Sequence, residues 1–128
     1  MAITITPKDA LQAKQVTPGW QILDVTNHYT KPSQGDGSTV HYFELEIKEG
    51  MFKGVPLVYI VSEKAPGMAK NFFFACGMTQ EMWERAEKGE AFTFDEKSCI
   101  GKVVKGMVAN DKYDNRVTNK LTDFLPIQ

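Results

Sequence analysis

At 128 residues, with 42% apolar and 24% charged side chains, the chain is long enough for one domain with its own core and needs neither metal nor disulfide to fold. A formal net charge of -1 excludes a protein that coats duplex DNA by bulk charge, and the absence of a long apolar run or signal-like start predicts a cytoplasmic protein without a membrane span. The charge is segregated: residues 1–77 hold seven Lys/Arg and seven Asp/Glu, residues 78–96 two and six, and residues 97–128 six and three, so an acidic stretch masks a basic C-terminal third.

Residues 1–18, ending in "QAKQVTP", lack a sustained apolar face and read as a tail or short helix before a folded body that begins near Trp20 and occupies 19–128. "WQILDVTNHY" is strand-like. "TKPSQGDGS" follows as a long loop, because its Pro and Gly cannot continue a ladder. "TVHYFELEIK" alternates cleanly, with Phe43, Leu45 and Ile47 on one face and Tyr42, Glu44, Glu46 and Lys48 on the other. After the turn "EGMFKG", the nearly continuous apolar run "VPLVYIVS" predicts a more buried strand with Pro56 near its start, paired to the previous one as a hairpin.

The pattern then changes. "EKAPGMAKNFFFACG" is helical and stops at Gly77, and "TQEMWERAEKG" is a second helix capped by Thr79 and stopped by Gly89. "IGKVVKGMVAN", a turn "DKYDN" and "RVTNKLTDFLP" complete a hairpin. Five strands with a helical insertion between the third and fourth predict a mainly β, five-stranded OB-fold barrel. A ferredoxin-like order would need a helix straight after the first strand, where the Gly/Pro-rich loop stands.

No nucleophile–base pair, separated carboxylate pair or phosphate-cradling glycine loop stands at informative spacing, so no enzyme and no cofactor is expected. Cys76 and Cys99 read as packing residues, and His28 and His41 lack the spacing of metal ligands, so no metal site is expected either. Glu81, Glu84 and Glu87 read as a solvated helix face, their alternative being a nuclease metal site.

Parts for binding a single strand are present. An OB groove crosses strands two and three between the loops joining strands one to two and four to five. On this sequence it gathers Tyr29 and Lys31 at the first loop, Tyr42 on strand two, and Lys112, Tyr113 and Arg116 in the last loop, with Lys105 and Lys120 extending the track. Cations neutralise phosphates and rings accept any base. Against this stand the plainer roles: tyrosines covering a flank, lysines discouraging edge-to-edge pairing, and Glu44 and Glu46 repelling phosphate on the face of Tyr42. Trp20, Trp83, Phe72, Phe73 and Phe74 read as core.

"PGWQILDV", "GMFKGVPLVYIVSEKA", "GKVVKGMV" and "YDNRVTNKLTDFLP", spread over about Gly19 to Pro126, resemble a family of small bacteriophage single-stranded DNA-binding proteins with an OB-fold. The resemblance implies non-catalytic protection of single-stranded DNA in the host cytoplasm, often as a homo-oligomer, alongside phage replication or recombination proteins. The alternative is an OB-fold protein-interaction or assembly module that binds no nucleic acid.

Overall fold

Strand alternation sets the inside of the sheet. In β2 (Thr39–Ile47), Phe43, Leu45 and Ile47 are buried, as their spacing predicts. β2 pairs antiparallel with β1 (Gly19–Pro32) on one side and β3 (Pro56–Ser62) on the other. The first half of β1 pairs with β4 (Val103–Tyr113), which pairs with β5 (Arg116–Pro126). The computed structural model describes residues 2–12, 14–113 and 116–127, and for Gln12, Lys112, Tyr113, Arg116 and Val117 only the backbone.

Among the described residues the result is one antiparallel sheet of five strands in the order β3-β2-β1-β4-β5. The sheet is open, with β3 and β5 as its edges. Those edges still approach through side chains: the rings of Tyr59 on β3 and Phe124 on β5 lie 4.7 Å apart, edge to face. Phe72 joins them at 5.0 Å and 4.8 Å. It comes from α2 (Lys70–Ala75), which is entered through a short 3-10 helix, Pro66–Ala69. Phe72 is wholly buried, and a Phe side chain taken fully out of water contributes about 1.5–3 kcal/mol, so α2 is held by what it inserts between the sheet edges.

Local chemistry explains where the helices stop. Gly77 follows α2 at φ +116°, and the amides of Gly77 and Met78 donate to the carbonyls of Phe74 and Phe73, the paired bonds of a Schellman cap. α3 (Gln80–Glu87) repeats this at Gly89, with Gly89 and Glu90 donating to Ala86 and Arg85. Its other end is capped by Thr79, whose hydroxyl accepts from the Met82 amide at 3.2 Å. Cys76 and Cys99 are both free and buried in the core. A hydrogen bond with Cys99, then burial, pushes the Cys76 thiol far above its ordinary range, so both act as packing groups.

Of the two readings of residues 1–18, the short helix forms as α1 (Pro7–Gln12); Leu11 lies against the core, and Val16 is wholly buried with its amide donating to Asn119 Oδ1. Several expectations need correction. The first loop is shorter than expected, because β1 runs on to Pro32 and the chain turns tightly, with the Ser33 amide donating to the Ser38 carbonyl at 2.7 Å. β3 is not buried on both faces: Val58 and Ile60 are 47% and 56% exposed, since they point to the solvated outer face of the antiparallel sheet. β4 begins at Val103 rather than Ile100, after a 3-10 helix at Glu96–Cys99. The expected turn "DKYDN" is largely strand, the ladder reaching Tyr113 opposite Arg116, while Asp114 and Asn115 lie outside the described residues.

Candidate nucleic-acid interface

One extra residue decides which way the second half of β1 faces. Up to Val25 the odd positions point inward: Leu23 and Val25 are buried. The pairing with β2 then slips between Val25 and Asn27, leaving Thr26 as a bulge whose hydroxyl donates to the Glu44 carbonyl at 3.1 Å. Beyond it the parity is reversed. His28 turns inward onto Phe43, ring to ring at 4.8 Å, and Tyr29 turns outward opposite Tyr42.

The outward pair is well formed. Tyr29 and Tyr42 stack with centroids 5.1 Å apart and planes 2° from parallel. Lys31 places its ammonium 5.5 Å from the Tyr29 centroid and 5.4 Å from that of Tyr42. Three sequence-nominated residues thus come together on strands, rather than at a loop mouth.

A second cation–aromatic pair lies on the same outer face toward the Gly19 end of β1. There Lys105 of β4 sits 5.9 Å from the ring of Trp20, which is 38% exposed. Trp20 therefore belongs to the surface, contrary to the expectation that it is core. The missed signal is its position: Trp20, Ile22 and Asp24 alternate with buried Leu23. Between the two pairs the face is acidic. Asp24 is bridged by Lys48 at 3.6 Å, Glu44 accepts from Asn27 at 3.1 Å, and Glu46 is exposed beside them.

The remaining nominated residues are apart from the tyrosine pair. Lys120 is exposed on β5 opposite Ala109. The backbone of Lys112, Tyr113 and Arg116 belongs to the end of the β4–β5 hairpin that runs past Gly19, whereas Tyr29 and Lys31 lie near the last residue of β1. The side chains of Lys112, Tyr113 and Arg116 lie outside the described residues.

The inner side of the same two strands carries polar chemistry that sequence spacing did not suggest. His28 Nε2 and His41 Nδ1 are 2.8 Å apart, and His41 Nε2 is 2.7 Å from Glu63 Oε1. Burial, reinforced by His41, lowers the His28 pKa against an opposing pull from Glu96. His41, Glu63 and Glu96 stand on the wall of a cavity of about 580 Å³ lined also by Phe43, Phe73 and Trp83. His28 and His41 are diagonal rather than opposite neighbours across β1 and β2, a relation visible only once the register is known.

Among the described residues no helix is long and apolar enough to cross a membrane. No family model matches this sequence, and no curated protein matches it.

Proposed function

We propose that this protein is a non-enzymatic, sequence-tolerant single-stranded DNA-binding protein of the OB-fold class, acting in the cytoplasm, of the kind that phage replication and recombination modules use. The OB assignment is supported by the strand order, by a long β1 shared between β2 and β4, and by edges that meet through Tyr59 and Phe124. The observation that carries the function is the stacked Tyr29–Tyr42 pair beneath the Lys31 ammonium on the outer face. Flat π-faces accept any base, each stacked base being worth about 1–3 kcal/mol, and an adjacent cation neutralises its phosphate. Trp20 with Lys105 gives a second such pairing on the same face. Lys112, Tyr113, Arg116 and Lys120 extend the proposed track along the β4–β5 hairpin.

The acidic centre of the face limits how a strand lies. Asp24 and Glu44 already have partners in Lys48 and Asn27, which lessens their repulsion. A strand that reaches from the tyrosine end to Trp20 and the hairpin therefore crosses a centre whose Asp24 and Glu44 are already partnered.

The test is a fluorescence anisotropy titration of labelled single-stranded DNA, duplex DNA and RNA at two salt concentrations. Single strands should bind more tightly than duplex, with log K falling by about 0.7 per neutralised phosphate for each tenfold rise in salt. Duplex binding as tight as single-strand binding, or none of either, overturns the proposal. Unchanged affinity in Tyr113→Ala and Arg116→Ala removes the hairpin end from the track.

A rival has its own observation. Val58, Ile60 and Met68 are exposed along the β3 edge, as an assembly module would require. Concentration-dependent oligomers without nucleic-acid binding, measured by light scattering, would favour it.

A further inference from the structure

We infer that His28, His41 and Glu96 form a binding site for a divalent transition-metal ion of the zinc class, with its open coordination position facing the cavity. Nitrogen and carboxylate donors from the three residues all lie within 4.8 Å of one another. Two imidazoles and a carboxylate are a donor set that suits Zn²⁺ and leaves a fourth tetrahedral position for water or a ligand.

A contact behind His41 points the same way. Glu63 accepts from His41 Nε2 at 2.7 Å, which fixes the proton on that nitrogen and leaves the Nδ1 lone pair directed at His28. A carboxylate on the far nitrogen of a liganding histidine orients the ring and raises its basicity. With that His41 tautomer, the 2.8 Å contact runs from the His28 Nε2–H to the His41 Nδ1 lone pair. Binding needs the His28 proton to sit on Nδ1 instead, freeing Nε2 as the second donor.

The fit needs small movements. Zinc–nitrogen bonds of about 2.0–2.1 Å at a tetrahedral angle put two donors roughly 3.3 Å apart. The present 2.8 Å must therefore open slightly. Glu96 must swing inward, which its place at the first position of a half-exposed 3-10 helix permits. His41 and Glu96 both line the cavity, so the free position opens into a space of about 580 Å³ walled by Phe43, Phe73, Trp83 and Phe94. A pocket of that size and character suits a small, largely apolar molecule with one donor atom for the metal.

The site is separate from the proposed DNA face. His28 and His41 point inward where Tyr29 and Tyr42 point outward, so either proposal stands without the other.

Chelator-competition titration of the full chain with Zn²⁺ tests it, with Co²⁺ as the spectroscopic probe. One Zn²⁺ per chain and the visible bands of tetrahedral Co²⁺ are expected. Glu63→Gln should weaken Zn²⁺ binding about 10–100-fold while keeping the Co²⁺ spectrum, the mark of a positioning residue. Glu96→Gln, a near-isosteric change at a half-exposed position, should lose most of the affinity and alter the spectrum, and His41→Ala should abolish both. Absence of stoichiometric Zn²⁺ binding, or binding that Glu96→Gln and His41→Ala leave unchanged, overturns the proposal.

Discussion

His28 and Tyr29 are adjacent in the chain, as are His41 and Tyr42, yet the two histidines meet inside the sheet and the two tyrosines meet outside it. The inner pair is half-buried, hydrogen-bonded and backed by Glu63 on a cavity wall; the outer pair is a stacked platform under a lysine. Two strands thus support two chemistries, because successive side chains of a strand face opposite ways. The comparison also shows how little separates them. Without the bulge at Thr26, Tyr29 and Lys31 would point into the core and His28 into water.

Inserting one alanine between Asn27 and His28 is the harshest way to break this arrangement. With the Thr26 bulge kept, it turns Tyr29 and Lys31 into the core; with the bulge absorbed into the ladder, it buries Asn27 and moves Tyr29 off Tyr42. Either should cost above about 4 kcal/mol of stability, in the range that single changes rarely reach. Urea denaturation followed by circular dichroism measures it; a near-native midpoint would mean that this register does not hold the two faces.

Replacing Tyr29 and Tyr42 together by alanine should separate the two faces. Single-strand affinity should fall by about 1–3 kcal/mol for each stacked base lost, roughly 5- to 150-fold, with Zn²⁺ binding unchanged. Equal losses of both would show one coupled site. A gentler probe is Lys31→Gln, which should lower the salt slope of log K by about 0.7 if its ammonium meets one phosphate. An unchanged slope would leave Lys31 as a cover for the rings.

The smallest expected effect concerns the inner pair alone. Burial holds the His28 pKa below the ordinary value of 6.5, with His41 and Lys97 acting the same way and Glu96 opposing them. The unfolded chain therefore takes up the proton first as pH falls. The stability that His28 contributes is complete above about 6.5 and is lost as pH drops from there through the depressed folded value. In chelator, wild type should lose more of its urea midpoint than His28→Gln between pH 7.5 and 5.5. Parallel losses would assign the pH dependence elsewhere.

Elements with a strong local signal were legible from residues alone. The alternation of Phe43, Leu45 and Ile47, the Thr79 cap and the glycine stops at Gly77 and Gly89 appear where sequence puts them. Signals that depend on neighbours failed. "VPLVYIVS" reads as buried by hydropathy, but Val58 and Ile60 are exposed because they point to the outer face of the sheet. Trp20 reads as core by size, but its parity in β1 sends it outward beside Lys105. Tyr42 was legible as outward-facing, and Tyr29 and Lys31 were nominated beside it, but their stacked geometry belongs to the register.

By itself, the sequence determined the order of strands and helices, the faces of β2 and the helix ends, because periodicity, caps and turn residues act within a few positions of the chain. Only the tertiary structure decided that β1 serves two neighbours, that Thr26 reverses its facing, and that His28, His41, Glu63 and Glu96 gather beside one cavity. The reason is physical: a ladder is chosen by pairing energy summed over whole strands, and a one-residue slip moves every side chain beyond it to the other face.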